Sequence, residues 1–298
     1  MFNTAITVQE TDEIIIVKQR GMFRQILDRL VRNRSAMIGF SILVIIVALC
    51  LLAPVIAPQG FNDQHLLEKF QPPSLKHLCG TDNLGRDIFH RMLYGGRISL
   101  MIGAVSTLFS AAFGIIIGLF AGFYGGTADN IVMRLLDIIM SIPSILLAIT
   151  IAAALGTGVN SAILAIGIAS IPIFARLTRA PIIQIKNEEY IEAARAISAS
   201  KLRIMFRHLL PNILSPLIVQ ITINVALSIL LAAGLSFLGM GVQPPNPEWG
   251  AIITSAKVYI TDHSYMVTMP GIAIALTVIG LNLFGDGLRD CLDPRLKI

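Results

Sequence analysis

The chain is short of charge. Asp, Glu, Lys and Arg make up 14% of its 298 residues, against roughly a quarter in a soluble domain. With 55% hydrophobic residues and a mean hydropathy of +0.75, an ordinary water-soluble domain is excluded. Cysteine is scarce too. Cys50, Cys79 and Cys291 show no CxxC spacing and fall in separate parts of the chain, which excludes a disulfide framework and a zinc ribbon. No G-x-x-x-x-G-K-[ST] phosphate loop is present, nor even a Gly-Lys pair, so the chain cannot hydrolyse ATP by that route. Neither H-E-x-x-H nor G-x-S-x-G occurs, and His65, His77, His90, His208 and His263 lack ligand spacing, which argues against a membrane-embedded enzyme. No metal site and no cofactor site is expected on this chain. The net charge of +5 and pI near 9.3 do not form one basic patch; the cations lie between apolar runs, as membrane orientation requires and nucleic-acid binding does not.

What is present is lipid-compatible sequence. About 20 apolar residues carry a helix across a hydrocarbon core of about 30 Å. Six segments qualify, from Met37 to Ala57, Ser99 to Tyr124, Ile131 to Leu155, Val159 to Phe174, Ile213 to Met240 and Met266 to Phe284. A lone strand cannot satisfy its backbone in lipid, so the fold class expected is an all-α membrane protein of about six transmembrane helices. Polar, basic sequence precedes the first run, so that run reads as a retained anchor rather than a signal peptide. On alternating sides of these spans, 17 of the 23 Lys and Arg residues fall on the side of the termini, which places both termini in the cytoplasm.

Small residues recur in the second span, at Gly103, Ala104, Gly114, Gly118, Ala121 and Gly122, and predict close helix packing. Pro143, Pro172, Pro216 and Pro270 lie in or near spans and are candidate kinks. Arg134 and Asp137 have the spacing of a structural ion pair, an ion relay being the alternative. Other charges are nearly absent from the apolar runs, which argues against a proton- or sodium-coupled secondary carrier. Before the second span, Thr81 or Asp82 is placed to cap an amphipathic segment containing Ile88, Phe89, Met92 and Leu93 that lies on the outer membrane surface. In the last outside loop Glu248 reads as a solvated charge and Trp249 as an interfacial anchor. Gly285-Asp286-Gly287 reads as the turn ending the last span.

The segment from Ile182 to Pro216 is long, charged and cytoplasmic in this topology. Asn187 is placed to cap a helix with Glu188 and Glu189 in its first turn, an apolar stripe of Tyr190, Ile191, Ala194 and Ile197, and a Glu192–Arg195 pair. Ser198-Ala199-Ser200 interrupts it, and Ser200 is placed to cap a second helix that ends near Pro211. Such a pair fits a groove on a partner protein or the membrane surface equally well.

A resemblance separates the two. Glu192-Ala193-Ala194, followed by His208-Leu209-Leu210-Pro211, resembles the signature loop of the permease subunits of bacterial binding-protein-dependent ABC importers. The resemblance implies that Glu192, Ala193, Ala194, Ser198, His208 and Pro211 form a coupling helix that docks into a cleft of an ATPase subunit. The family carries glycine at the place of Ser198, and a serine held there at positive φ costs on the order of 1 kcal/mol. Gly80-Thr81-Asp82-Asn83-Leu84-Gly85-Arg86-Asp87, Leu235-Ser236-Phe237-Leu238-Gly239, Pro247-Glu248-Trp249-Gly250 and Asn282-Leu283-Phe284-Gly285-Asp286-Gly287 are similar to the second permease of the dipeptide, oligopeptide and nickel group. The first 33 residues carry no matching motif.

The resemblance implies a type I (MetI-like) permease bundle with a cytoplasmic coupling helix, in a bacterial cytoplasmic (inner) membrane. It divides the chain into a cytoplasmic segment 1–36, a first helix 37–57, an extracytoplasmic loop 58–98, a five-helix core 99–284 containing the coupling loop 182–212, and a tail 285–298. The implied partners are a homologous permease, two ATP-binding subunits that carry ATP and Mg, an extracytoplasmic substrate-binding protein and membrane lipid. Di- or oligopeptides are the implied cargo, nickel or a metal chelate the alternative.

Overall fold

The computed structural model describes residues 28–292, and the tail's last six residues and most of the N-terminal segment lie outside them. Among the described residues nine helices carry the architecture: α1 (Arg34–Leu51), α2 (Ile88–Tyr124), α3 (Gly126–Ser141), α4 (Ser144–Leu155), α5 (Val159–Ile185), α6 (Glu189–Ala196), α7 (Leu214–Phe237), α8 (Trp249–Ala256) and α9 (Tyr265–Leu292). Among the described residues there is no strand, only an isolated bridge between Thr81 and Asp87. Among the described residues five helical stretches are long and apolar enough to cross a membrane, and the bent pair α3–α4 makes a sixth if it counts as one span.

The prolines act unequally. At Pro143 the chain turns by 91° between α3 and α4, so the third apolar run is a broken helix. Pro172 and Pro270 remain inside α5 and α9, held by neighbouring helices. Glycines set the closest helix contacts. A Cβ on Gly118 of α2 would lie 2.3 Å from the carbonyl oxygen of Ala175 in α5, and one on Gly287 of α9 would lie 2.4 Å from the Cβ of Ala36 in α1. Gly285 and Gly287 therefore do not form a turn. The helix runs through them to Leu292, because they are where α9 approaches α7 and α1.

The second span also begins earlier than its apolar run. Asp87 caps α2, accepting a bond from the His90 amide at 3.1 Å, and the helix is then continuous for 37 residues, about 55 Å at 1.5 Å per residue. Ile88 and Leu93 are buried, and Ile88 packs with Ala256 and Met266, so this is not a segment lying on a membrane surface. Asp82 has a different task. Its carboxylate accepts from the amides of Leu84 and Arg86 and from the Arg86 guanidinium at 2.7 Å, closing the turn that precedes α2. The loop around it is braced by Arg91 donating to the Phe61 carbonyl and by the Tyr94 hydroxyl donating to that of Ala57.

Candidate functional site: the α6 bend and its supports

Glu188 stands at the N-cap of α6 and makes no side-chain cap bond, so Asn187 does not take the capping role its position suggests. Of the predicted apolar stripe, Ile191 and Ala194 are buried, joining Ile204, Met205 and Leu209 in a cluster that continues into α2, α5 and α7 through Leu119, Phe174, Ile182 and Leu217. Tyr190 and Ile197 face outward, Ile197 with 81% of its surface exposed. The short helix is thus fused to the bundle along one side and bare along the other. Glu192 and Ala193 lie on the bare side. Arg195 does not pair with Glu192; its guanidinium reaches back to the Lys186 carbonyl at 3.1 Å, securing the joint between α5 and α6.

The bend has a left-handed backbone. Ser198 sits at φ 55°, its amide donating to the Arg195 carbonyl at 2.9 Å, while the Ala199 amide donates to the Ala194 carbonyl at 3.0 Å. These two bonds form a Schellman motif with serine at the position that favours glycine. The same pair of bonds recurs at the end of α7, where Gly239 (φ 80°) takes that position. Ser200 then caps the next turn through the Arg203 amide at 3.3 Å, as its place in the sequence predicts.

From Lys201 the chain climbs back into α7 through a π turn over Ile204–Leu209 and a 3-10 turn over Leu210–Ile213. Pro211 explains the irregularity: it has no amide for an i→i−4 bond and crowds the preceding turn. The Asn212 side chain compensates, donating to the His208 carbonyl at 2.7 Å and to the Tyr190 hydroxyl at 3.1 Å, which ties the second limb back to α6. His208 lines a cleft of about 290 Å³ under the bend with Ile197, Ser198, Ala199, Arg203 and Arg207. Glu192, Ala193 and Ser198 thus share one exposed tip, His208 borders it, Ala194 anchors it from inside, and Pro211 shapes the returning limb.

The ion pair between Arg134 and Asp137 is not made. Asp137 pairs with Arg176 of α5 instead, and Arg134 has no ion pair among the described residues. A second pair links the same helices, with Arg179 donating to both carboxylate oxygens of Asp129 at 2.5 and 2.6 Å. Sequence reading missed this pair, since its members are 50 residues apart. Near it the Lys186 ammonium donates to the Gly122 carbonyl at 3.0 Å, so the root of α6 is tied to the end of α2.

At the opposite end, Glu248 is fully buried rather than solvated. Its carboxylate caps α8 through the Ala251 amide and accepts from the Ser99 hydroxyl, each at 2.9 Å. Trp249 is buried as well, its indole donating to the Met92 carbonyl at 2.9 Å, so it plugs the bundle instead of anchoring at an interface. Gly96 makes room for it, since a Cβ there would lie 2.7 Å from the indole Cζ2, and next to it a Cβ on Gly95 would lie 1.6 Å from the Pro247 carbonyl oxygen.

Residues 114–298, which include the bend, match the family described as the binding-protein-dependent transport system inner membrane component. The chain belongs to this family. Residues 21–73 match the N-terminal transmembrane domain of oligopeptide transport permease C, so the family likeness begins before Arg34, earlier than the motifs indicate. The dipeptide transport system permease protein DppC of Alkalihalophilus pseudofirmus is 42% identical over 92% of this chain and 90% of its own. A putative peptide transport system permease protein of Brucella suis is 47% identical over 91% of each chain. The glutathione transport system permease protein GsiD of Pectobacterium atrosepticum is 41% identical over 93% of each. Among solved structures, an inward-facing MetNI methionine ABC transporter shares the fold, with a TM-score of 0.57 and 22% identity over 68% of this chain and 96% of that one. This family member is a multi-pass permease subunit of an ABC importer, and its family is not a catalytic one.

Proposed function

We propose that this permease forms half of the translocation pathway of an ATP-driven peptide importer and that the exposed tip of α6 is its contact with an ATPase subunit. Peptides as cargo are supported by the names of relatives above 40% identity across nine-tenths of the chain. The observation that carries the coupling role is the two-sidedness of α6. Ile191 and Ala194 are built into the same core as α2, α5 and α7, while Glu192, Ala193 and Ile197 stand bare. A partner pressing on that tip moves the bundle, because no flexible linker intervenes.

In this reading a homologous permease supplies the other half of the pathway. Two ATP-binding subunits hold ATP and Mg, and an extracytoplasmic binding protein delivers the cargo. The α6 end and both termini lie in the cytoplasm, in keeping with the distribution of basic residues. Closure of the ATPases on ATP is transmitted as rigid-body movement and exposes the pathway alternately to the two sides.

Tagging the C-terminus, extracting in mild detergent and identifying the co-purifying chains tests the assembly. A second permease with one or two P-loop ATPases is expected. A stable homo-oligomer of this chain alone contradicts it.

A further inference from the structure

Helix α3 has three distinct faces. Its buried side chains are Asp129 and Leu136, which hold it to the bundle. A second face carries Ile131, Leu135 and Ile138, continued by Ile142 beyond the helix end, all exposed and apolar as a lipid- or protein-facing surface requires. Beside it runs a third. Thr127, Asn130, Arg134, Asp137 and Ser141 follow one another at spacings of three, four, three and four residues, which places them on one side of the helix, and all five are exposed.

A polar row along a helix that is one arm of a bent apolar pair does not face hydrocarbon. Arg134 alone could snorkel to headgroups, but the short side chains of Asn130 and Asp137 cannot. The Arg176–Asp137 pair adds to this. It joins α3 to the spanning helix α5, yet its side chains remain 57% and 45% exposed, an arrangement that suits water and not lipid. The row extends about 20 Å along α3 at 1.5 Å per residue and ends at Ser141, whose hydroxyl turns back to the Ile138 carbonyl just before the 91° break. Beyond the break the row does not continue: the Thr150 hydroxyl of α4 is bonded within its own helix, to Leu146.

We infer that the Asn130–Arg134–Asp137 face of α3 lines the water-filled translocation pathway and that the Arg134 guanidinium is a transient site for the carboxylate of the passing cargo. Asp137 is already neutralised by Arg176, so Arg134 is the cation on this face left to meet an anion. A guanidinium gives two parallel bonds to a carboxylate. Exposure to water keeps the attraction weak enough for release. The inference rests on the importer reading and adds to it the wall of the pathway and a chemical group the wall contacts.

The test uses the assembled, reconstituted transporter. In a background with Cys50, Cys79 and Cys291 replaced, single cysteines at Asn130 and Ser141 are compared with cysteines at Ile131 and Ile138, using a charged, membrane-impermeant thiol reagent. Reaction at the first pair and not at the second is expected. Equal reaction at both pairs, or none at Asn130 and Ser141, overturns the pathway assignment, the latter placing the face against the second permease or lipid. For the anion site, Arg134→Gln is expected to lower dipeptide uptake about tenfold with complex yield kept, and Arg134→Lys to restore most of it. Uptake by Arg134→Gln equal to wild type, or Arg134→Lys as deficient as Arg134→Gln, overturns it. A wild-type complex with no ATPase subunit and no ATP-driven uptake marks failure of the importer reading instead.

Discussion

The amide of Ala199 reaches back over Ser198 to the carbonyl of Ala194, 3.0 Å away, and closes the end of α6. The closure holds Ser198 at φ 55°, a conformation that a side chain with a Cβ resists. Ser198 is exposed, so removing its side chain leaves no cavity. Ser198→Gly is therefore expected to stabilise the purified complex by about 1 kcal/mol, read as a rise in its thermal midpoint. A β-branched Ser198→Val is expected to lower it. A fall with glycine means that the serine hydroxyl makes a bond in the assembly.

Glu248 tests the outer plug. Ser99 and the Ala251 amide are its two donors, and nothing reaches it from solvent. Glu248→Ala loses the cap of α8 and leaves the Ser99 O–H without its acceptor, while Ser99 Oγ still accepts from the Trp249 amide; a destabilisation of about 2 kcal/mol by denaturation in detergent is expected. Ser99→Ala leaves the Ala251 amide on Glu248 but removes the acceptor of the buried Trp249 amide, so it too is expected to destabilise. Because both act through one carboxylate, the double variant is expected to lose less than the two single losses combined. Additive losses contradict the contact.

The two ion pairs between α3 and α5 are unequal. Asp129 is buried and accepts two bonds from Arg179, whereas the Arg176–Asp137 pair is about half exposed. Asp129→Asn is expected to cost about 2 kcal/mol and Asp137→Asn under about 0.5 kcal/mol of thermal stability. Equal losses contradict the difference in burial.

Close approach at the outer end gives a steric prediction. Gly95→Ala puts a methyl group against the Pro247 backbone, which no side-chain rotation relieves, and a loss of about 1–3 kcal/mol is expected. Gly271→Ala, whose Cβ meets nothing within 4 Å, serves as the control and is expected to be neutral or slightly stabilising.

The spans were legible because a bilayer demands a minimum apolar length, and the sequence meets it six times. Their ends were not. Helix α2 extends outward to Ile88 although Arg91 and Arg97 interrupt the apolar run, since the loop around Phe61 supplies an acceptor for Arg91. Residues Gly285 and Gly287 carry a turn composition, but tight packing on Thr222 and Ala36 uses the missing Cβ inside a helix. Long-range partners decided the rest. Glu248 looks solvated until Ser99 arrives from 149 residues away, and Asp137 looks paired to Arg134 until Arg176 is placed beside it. The bend was legible in position, from Ser198-Ala199-Ser200, and its left-handed backbone only from the two bonds that enforce it.

The coupling role of α6 is tested most directly by Ala193→Trp in the reconstituted transporter, measuring ATP-driven uptake of a dipeptide beside the yield of the membrane complex. Ala193 is exposed on the bare face of α6, so a bulky side chain there spares the core formed by Ile191 and Ala194. Membrane insertion and pairing of the permeases are expected as in wild type, with uptake reduced at least tenfold, roughly 1.4 kcal/mol of lost coupling. Uptake at the wild-type rate would show that the tip of α6 does not carry the ATPase contact.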